Sequence, residues 1–150
     1  MNKFASRAVI ALSLAATSMV GVADAQQVAS AHVDVLAKST ASWNGKPYTA
    51  YPGTQPQLTV LKFRIPANTA LPWHTHPFPN AGYIISGQLT IEDKATGKKE
   101  TFKAGQAFTE SVNDPHRGVS GKVPTVMVIV YSGTPSVATF TPLPGQKPEW

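Results

Sequence analysis

Three histidines have the residue type and the spacing that metal chemistry needs. His74 and His76 lie two residues apart in PWHTHPFPN, and His116 follows 40 residues later in NDPHRGVS. Residues i and i+2 of a β-strand point to the same face, so His74 and His76 should lie side by side, about 6–7 Å apart along the backbone. Imidazole nitrogens bind divalent transition metals at about 2 Å, so two such rings can converge on one ion.

The sequence around the histidines shows how strongly this spacing indicates a metal site. A pair of solvent-facing histidines in a proline-rich loop gives the same pattern, so the pair alone is weak evidence. Pro72 and Pro77 place the pair at a strand end or sheet edge. A turn signal at 113–115 indicates that His116 opens another short strand. The sequence therefore predicts a three-histidine site at two strand ends, whereas His32, in the N-terminal segment, is expected to be a surface or capping residue.

The first 25 residues have the pattern of a secretory signal peptide. Lys3 and Arg7 precede an uncharged, mostly apolar run at 8–22, and Ala23 and Ala25 form an A-x-A cleavage site. The apolar run has 15 residues, which is short for a membrane span, although an uncleaved anchor has the same outline. We expect cleavage after Ala25, a periplasmic or secreted location, and a mature chain of 125 residues without a membrane contact.

The remaining sequence predicts one all-β domain. The chain's thirteen prolines and eleven glycines separate short β-rich runs, at 58–65, 82–93, 98–102, 106–112, 125–131 and 136–140. Strands of this length between turn signals are typical of a sandwich or barrel. We expect an N-terminal extension at 26–57 that packs on a barrel at 58–140, followed by an extended tail at 141–150.

The run TVMVIVY at 125–131 is apolar on both faces. One face should fill the barrel, and the other must be covered by the N-terminal extension or by a second subunit. We therefore expect a homodimer formed through this sheet.

Composition excludes several other function classes. The chain has no cysteine, hence neither a disulfide nor a cysteine nucleophile. Its net charge of +5 falls to +4 on cleavage, and the densest basic patch, at 94–103, lies on a predicted hairpin turn, so no nucleic-acid partner is expected. The sequence contains neither a G-x-S-x-G elbow nor a glycine-rich phosphate loop.

With its histidines at these intervals, the sequence resembles the cupin family. The first cupin motif is G-x5-H-x-H-x3,4-E-x6-G and the second is G-x5-P-x-G-x2-H-x3-N, and this chain fits every interval of both without a gap. Identities occur at Gly87, Gly105 and the three histidines. The five departures are Asn68, Asn80, Ser111, Asn113 and Ser120.

The resemblance covers about 58–132 and implies a double-stranded β-helix, or jelly-roll, barrel that is often dimeric. It implies one divalent transition metal (Fe, Mn, Ni, Cu or Zn) held by His74, His76 and His116. Imidazole suits several of these ions, so the sequence does not select among them. Family activities range from dioxygenases, isomerases and oxalate-degrading enzymes to binding domains without catalysis.

Two residues bear on the charge of this predicted site. Asn80 replaces the motif glutamate and is expected as a weak ligand or a substrate contact, or simply as a turn residue. Glu110 shares a face with Phe108 and Val112, so it should point into the barrel. Three roles for Glu110 stay open, namely metal ligand, general base beside the metal, and ion-pair partner of Arg64 or Arg117.

Two functions follow from these predictions. The first is a metal-dependent, dioxygenase-like enzyme acting on a small molecule, with Glu110 moving protons. The second is a barrel without catalysis that binds or senses a small ligand. Three histidines and an inward Glu110 favour the enzyme, whereas the missing motif glutamate favours the binder. Among the aromatic residues, which are most often core, Tyr83 is the one expected to contact the ligand.

Overall fold

The computed structural model describes residues 31–148, which form nine β-strands in two antiparallel sheets. The strands are β1 (Gln57–Ile65), β2 (His74–Thr75), β3 (Asn80–Ser86), β4 (Gln88–Asp93), β5 (Lys99–Lys103), β6 (Ala107–Thr109), β7 (His116–Ser120), β8 (Thr125–Gly133) and β9 (Thr141–Pro142). One sheet has the order β1-β8-β3-β6 and the other β5-β4-β7-β2-β9. The all-β prediction is confirmed, and the predicted signal peptide lies outside the described residues. None of the described residues belongs to a helix long and apolar enough to span a membrane.

Alternation along the strands builds the core between the sheets. In β1, Leu61, Phe63 and Ile65 face inward while Lys62 and Arg64 face solvent, because successive side chains of a strand point to opposite faces. β8 pairs with β1 along its whole length and contributes alternate residues to the same core. The buried hydrophobic residues are Ile65, Ile84, Leu89, Ile91, Phe108, Met127, Ile129 and Tyr131.

The outer face of β8 remains partly open. Val126 and Val128 are half-buried and Val130 is exposed. On neighbouring strands Val60 and Ile85 are exposed as well. The predicted homodimer through this face stays a prediction.

All four glycine positions of the two cupin motifs have left-handed backbone. The φ angle is +77° at Gly87, +87° at Gly105, +52° at Asn68 and +53° at Asn113. Asparagine enters this region more readily than most other residues with a side chain. The two Asn-for-Gly departures therefore preserve the turns that the motifs require.

The predicted strand at 136–140 is wrong, and the one at 106–112 is too long. After β8 the chain turns at Pro135, where the Val137 N–H donates to the Thr134 carbonyl at 3.4 Å. The chain then crosses from one sheet to the other, and only Thr141–Pro142 regains a strand partner, β2. Residues 136–140 form an irregular segment instead, and its course matters for the site described below. Similarly, β6 ends at Thr109.

Two glycines with similar φ allow a matched test of the β3–β4 turn. A Cβ at Gly87 (φ +77°) would lie 2.5 Å from the Pro124 carbonyl oxygen, whereas a Cβ at Gly97 (φ +71°) would meet nothing within 4 Å. We predict that Gly97→Ala lowers the free energy of unfolding by about 1 kcal/mol, the cost of a left-handed alanine. Gly87→Ala should cost about 2–4 kcal/mol, because backbone must also move. Urea unfolding measures both, and equal losses would contradict this account of the turn.

Candidate metal centre

Four buried, metal-ligating side chains meet between the two sheets. His74 lies in β2, His76 directly follows it, Glu110 directly follows β6, and His116 opens β7. One ligand atom from each of the four lies within 4.8 Å of all the others. The structure thus brings together the three histidines and the carboxylate that the sequence singled out.

Strand pairing explains why the histidines converge. β2 and β7 pair with His74 opposite His116. His76 forms a bridge with Val112. Thr75, between the two histidines, is only half-buried, while His74 and His76 are 3% and 1% exposed, so both point inward as the period of two predicts.

A backbone carbonyl orients each imidazole ring. The Nδ1 atom of His74 lies 2.8 Å from the Pro72 carbonyl oxygen, that of His76 lies 2.9 Å from the Thr139 oxygen, and that of His116 lies 2.7 Å from the Asp114 oxygen. A carbonyl oxygen can only accept, so each Nδ1 carries the hydrogen. In the neutral ring the Nε2 lone pair is then free to face the centre of the cluster.

The Nε2 atoms are close enough to repel one another without a cation between them. Those of His74 and His76 are 3.1 Å apart. The Glu110 carboxylate lies 2.9 Å from His76 Nε2 and 3.8 Å from His116 Nε2. Ligands on bonds of about 2.1 Å are about 3.0 Å apart at a right angle and about 3.4 Å apart at the tetrahedral angle. The donor set and its spacing therefore fit one transition-metal ion.

Protonation suits metal binding at neutral pH. Burial, reinforced by His76 and His116, lowers the pKa of His74 to about 3. Burial likewise lowers the pKa of His116. For Glu110, burial disfavours the charged form, but the adjacent His76 outweighs it and the pKa is lowered. At neutral pH His74 and His116 are therefore neutral and Glu110 is ionised, which is the state that these three ligands must reach before a metal binds.

The ion pair of Glu110 with Arg64 or Arg117, considered from the sequence, is wrong. Arg117 instead pairs with Glu92, with its Nε donating to Oε2 at 2.8 Å, and Arg64 lies on the outer face of β1. Glu110 is held through its backbone: its N–H donates to the Asn80 carbonyl at 3.2 Å, and its carbonyl accepts the Tyr48 hydroxyl at 2.7 Å. The carboxylate thus takes its place beside the histidines without a neighbouring arginine.

Asn80 and Tyr83 have opposite placements. Asn80 is 5% exposed on the inner face of β3, and neither side-chain amide atom has a hydrogen-bond partner among the described residues. Tyr83 lies on the outer face of the same strand and is 39% exposed. The structure therefore does not bring Tyr83 to the histidines, and its odd distance from Asn80 along the strand already indicates the opposite face.

Several contributions to the site have no sequence signal. The Thr139 carbonyl orients His76, and the ring of Phe140 packs edge-on against His74 at 5.8 Å between centroids. Both residues come from the irregular segment that the sequence pattern described as a strand. The enclosed cavity beside His74, His76 and Glu110 measures about 10 Å³, which is room for about one water molecule.

A polar clamp from the N-terminal part also reaches the loop that carries His116. The Asn44 side-chain amide donates to Asp93 at 2.7 Å and to Asp114 at 2.8 Å, and Lys46 pairs with Asp114. Because the Asp114 carbonyl orients His116, residues 44–46 support a metal-site ligand from outside the barrel.

Comparisons with known proteins agree with this architecture. A family model described as a cupin domain matches residues 61–131. The structure is similar to DMSP lyase DddQ from Ruegeria pomeroyi, with a TM-score of 0.52 at 17% identity over 69% of this chain and 49% of that chain. It is also similar to a cupin-like protein from Thermotoga maritima, with a TM-score of 0.51 at 15% identity over 57% and 64% of the two chains.

The reach of these similarities is limited to the fold. This chain spans about half the length of the lyase and less than two thirds of the Thermotoga protein. At 17% and 15% identity, the likeness is one of architecture alone. A search of curated protein sequences found no match.

The Asn44 clamp generates a prediction about acid stability. Burial disfavours ionised Asp93, but hydrogen bonds from Thr96, Asn44 and Ala95 outweigh it and lower its pKa from 3.8 to about 2. A depressed carboxyl pKa stabilises the fold above the unfolded value, and that stabilisation is lost as the pH falls towards the folded value. We predict that, as the pH falls from 4 to 2, the free energy of unfolding decreases less for Asp93→Asn than for the unsubstituted protein. If the free energy of unfolding of the two proteins changes equally with pH over this range, the hydrogen bonds to Asp93 do not lower its pKa.

Proposed function

Because the chain belongs to the cupin superfamily, we propose that it is a metalloenzyme of the oxygenase type that acts on a small molecule. His74, His76, His116 and Glu110 would hold one divalent transition-metal ion. We also propose that the protein is exported, because its first 25 residues have the pattern of a signal peptide. We further propose that it acts as a homodimer, which is supported by the exposed apolar positions on the outer face of β8 and its neighbours.

One observation carries the metal proposal. Each of the three histidines donates its Nδ1 hydrogen to a backbone carbonyl, so three Nε2 lone pairs face one carboxylate in a buried space. Such outer contacts fix the tautomer and orientation of metal-binding imidazoles. A divalent ion would bind the buried carboxylate and the three Nε2 atoms together.

Glu110 restores the charge that the missing motif glutamate would have supplied. Three neutral imidazoles and one carboxylate around a divalent ion leave a net charge of +1. Glu110 and Asn80 are joined by a backbone hydrogen bond, so the carboxylate lies next to the position of the motif glutamate. When bound, the ion would supply Lewis acidity and, if redox-active, an electron-transfer centre. Asn80, with its unpaired amide atoms, supplies one donor group and one acceptor for orienting a small polar ligand.

The alternative is a metal-binding barrel without catalysis. The small cavity at the histidines favours it, because about 10 Å³ has no room for an organic substrate without movement of its walls. Oxygen consumption by the metal-loaded protein with phenolic and diketone substrates separates the two functions. Turnover that disappears on metal removal supports the enzyme, and saturable ligand binding without turnover supports the binder.

Metal content tests the site independently of turnover. We predict near-stoichiometric transition metal in the mature protein purified from the periplasm without chelators. His116→Ala should lose it, because this removes one Nε2 ligand from the cluster. His32→Ala is the matched control and should keep it, since His32 is not part of the cluster. Mass spectrometry of the elements measures both variants, and equal metal content in them would contradict the proposal.

The role of Glu110 is tested by a neutral replacement. Glu110→Gln keeps the shape but removes the charge, so we predict that metal affinity falls at least about tenfold. Glu100→Gln on the exposed face of β5 is the control, and its affinity should stay within about twofold because an exposed charge is screened by solvent. Competition with a chromogenic chelator gives the affinities. Unchanged affinity in Glu110→Gln would remove Glu110 from the ligand set.

A further inference from the structure

A second, larger pocket lies outside the barrel. It has a volume of about 440 Å³ and is formed between residues 39–51 and the outer face of the four-stranded sheet. Tyr48 and Tyr51 line one side, and Ala81, Thr109 and Val130 line the other. Asn80 borders the pocket, but none of the four residues of the candidate metal centre lines it, so its ligand would not contact the metal.

The chemistry of the walls selects the kind of ligand. Of the described residues that line the pocket, none is charged at neutral pH. Hydroxyl groups and two tyrosine rings alternate with apolar side chains there, and the volume lies in the range of small-molecule sites. Burial raises the pKa of Tyr48, so its phenol stays neutral. The pocket offers no countercharge to an ionic ligand, whereas an aromatic ring can stack on tyrosine.

Hydrogen bonds hold both walls in place. The Trp43 N–H donates to the Thr109 carbonyl at 2.9 Å, and the Tyr48 N–H donates to the Thr40 carbonyl at 2.9 Å. The Tyr48 hydroxyl is tied to the Glu110 carbonyl at 2.7 Å. The Tyr48 side of the pocket is therefore preformed, which lowers the entropic cost of binding there.

We propose that this pocket binds an uncharged aromatic small molecule, independently of the metal centre. This goes beyond the proposed function, because it assigns a second ligand to a pocket that none of the four candidate metal ligands lines. The proposal rests on a pocket of about 440 Å³ whose walls carry aromatic rings and hydroxyl groups. None of the described residues that line it is charged.

Two probes with the same ring test the proposal. Binding of 2-naphthol and of 2-naphthalenesulfonate to the mature protein is measured by isothermal titration at pH 7. We expect saturable binding of the neutral probe at one site, at least about tenfold tighter than that of the sulfonate. The net charge of the mature protein, +4 after removal of Lys3, Arg7 and Asp24, would favour the anion in any non-specific binding. Equal or tighter binding of the sulfonate, or no binding of 2-naphthol, would overturn the proposal.

Two tryptophan substitutions locate the binding site. Ala81→Trp fills the pocket from β3 and should weaken 2-naphthol binding at least about tenfold. Val123→Trp lies in the exposed turn before β8 and does not line the pocket, so its binding should match that of the unsubstituted protein. Equal affinity in the two variants would place the probe elsewhere. If Ala81→Trp fails to fold, the comparison of the two probes still decides the proposal. The metal content of the protein does not enter either test.

Discussion

The candidate site depends on three hydrogen bonds between imidazole rings and backbone carbonyls. Each carbonyl forces the hydrogen onto Nδ1, and so each ring presents its Nε2 lone pair to the same buried point. A histidine without such a bond can rotate or change tautomer, and a cluster of such rings would not define a metal geometry. These bonds turn three buried histidines into a preorganised donor set, with Glu110 supplying the one negative charge.

The three carbonyls come from different parts of the fold, so the orientation of the imidazole rings depends on several segments of the chain. Pro72 and Asp114 each lie two residues before the histidine they orient, so these two bonds are local features of the strand entries. Thr139 lies on the segment that crosses between the sheets after β8. The Asp114 loop is itself fixed by Asn44 from the N-terminal part. Residues outside the strands thus position ligands that the strands alone would leave loosely held.

Sequence reasoning located the donor side chains because their signals are periodic. The spacing of two put His74 and His76 on one face, and alternation in β6 turned Glu110 inward. The Asn residues at two motif glycine positions preserve the left-handed turns. A carbonyl has no sequence signature, however, so the Thr139 contact was not predictable, and neither was the long-range contact of Asn44. Strand alternation puts Tyr83 on the outer face of β3, away from the histidines, so its predicted ligand contact would lie on that face.

The most direct measurement is a crystal structure of the metal-loaded mature protein with anomalous scattering recorded at the absorption edge of the bound ion. The account predicts one peak within about 2.0–2.3 Å of the Nε2 atoms of His74, His76 and His116 and of a Glu110 oxygen. It also predicts that the three Nδ1–carbonyl contacts are retained. A peak that lies away from these atoms, or one coordinated through Nδ1 after the rings have turned, would contradict it.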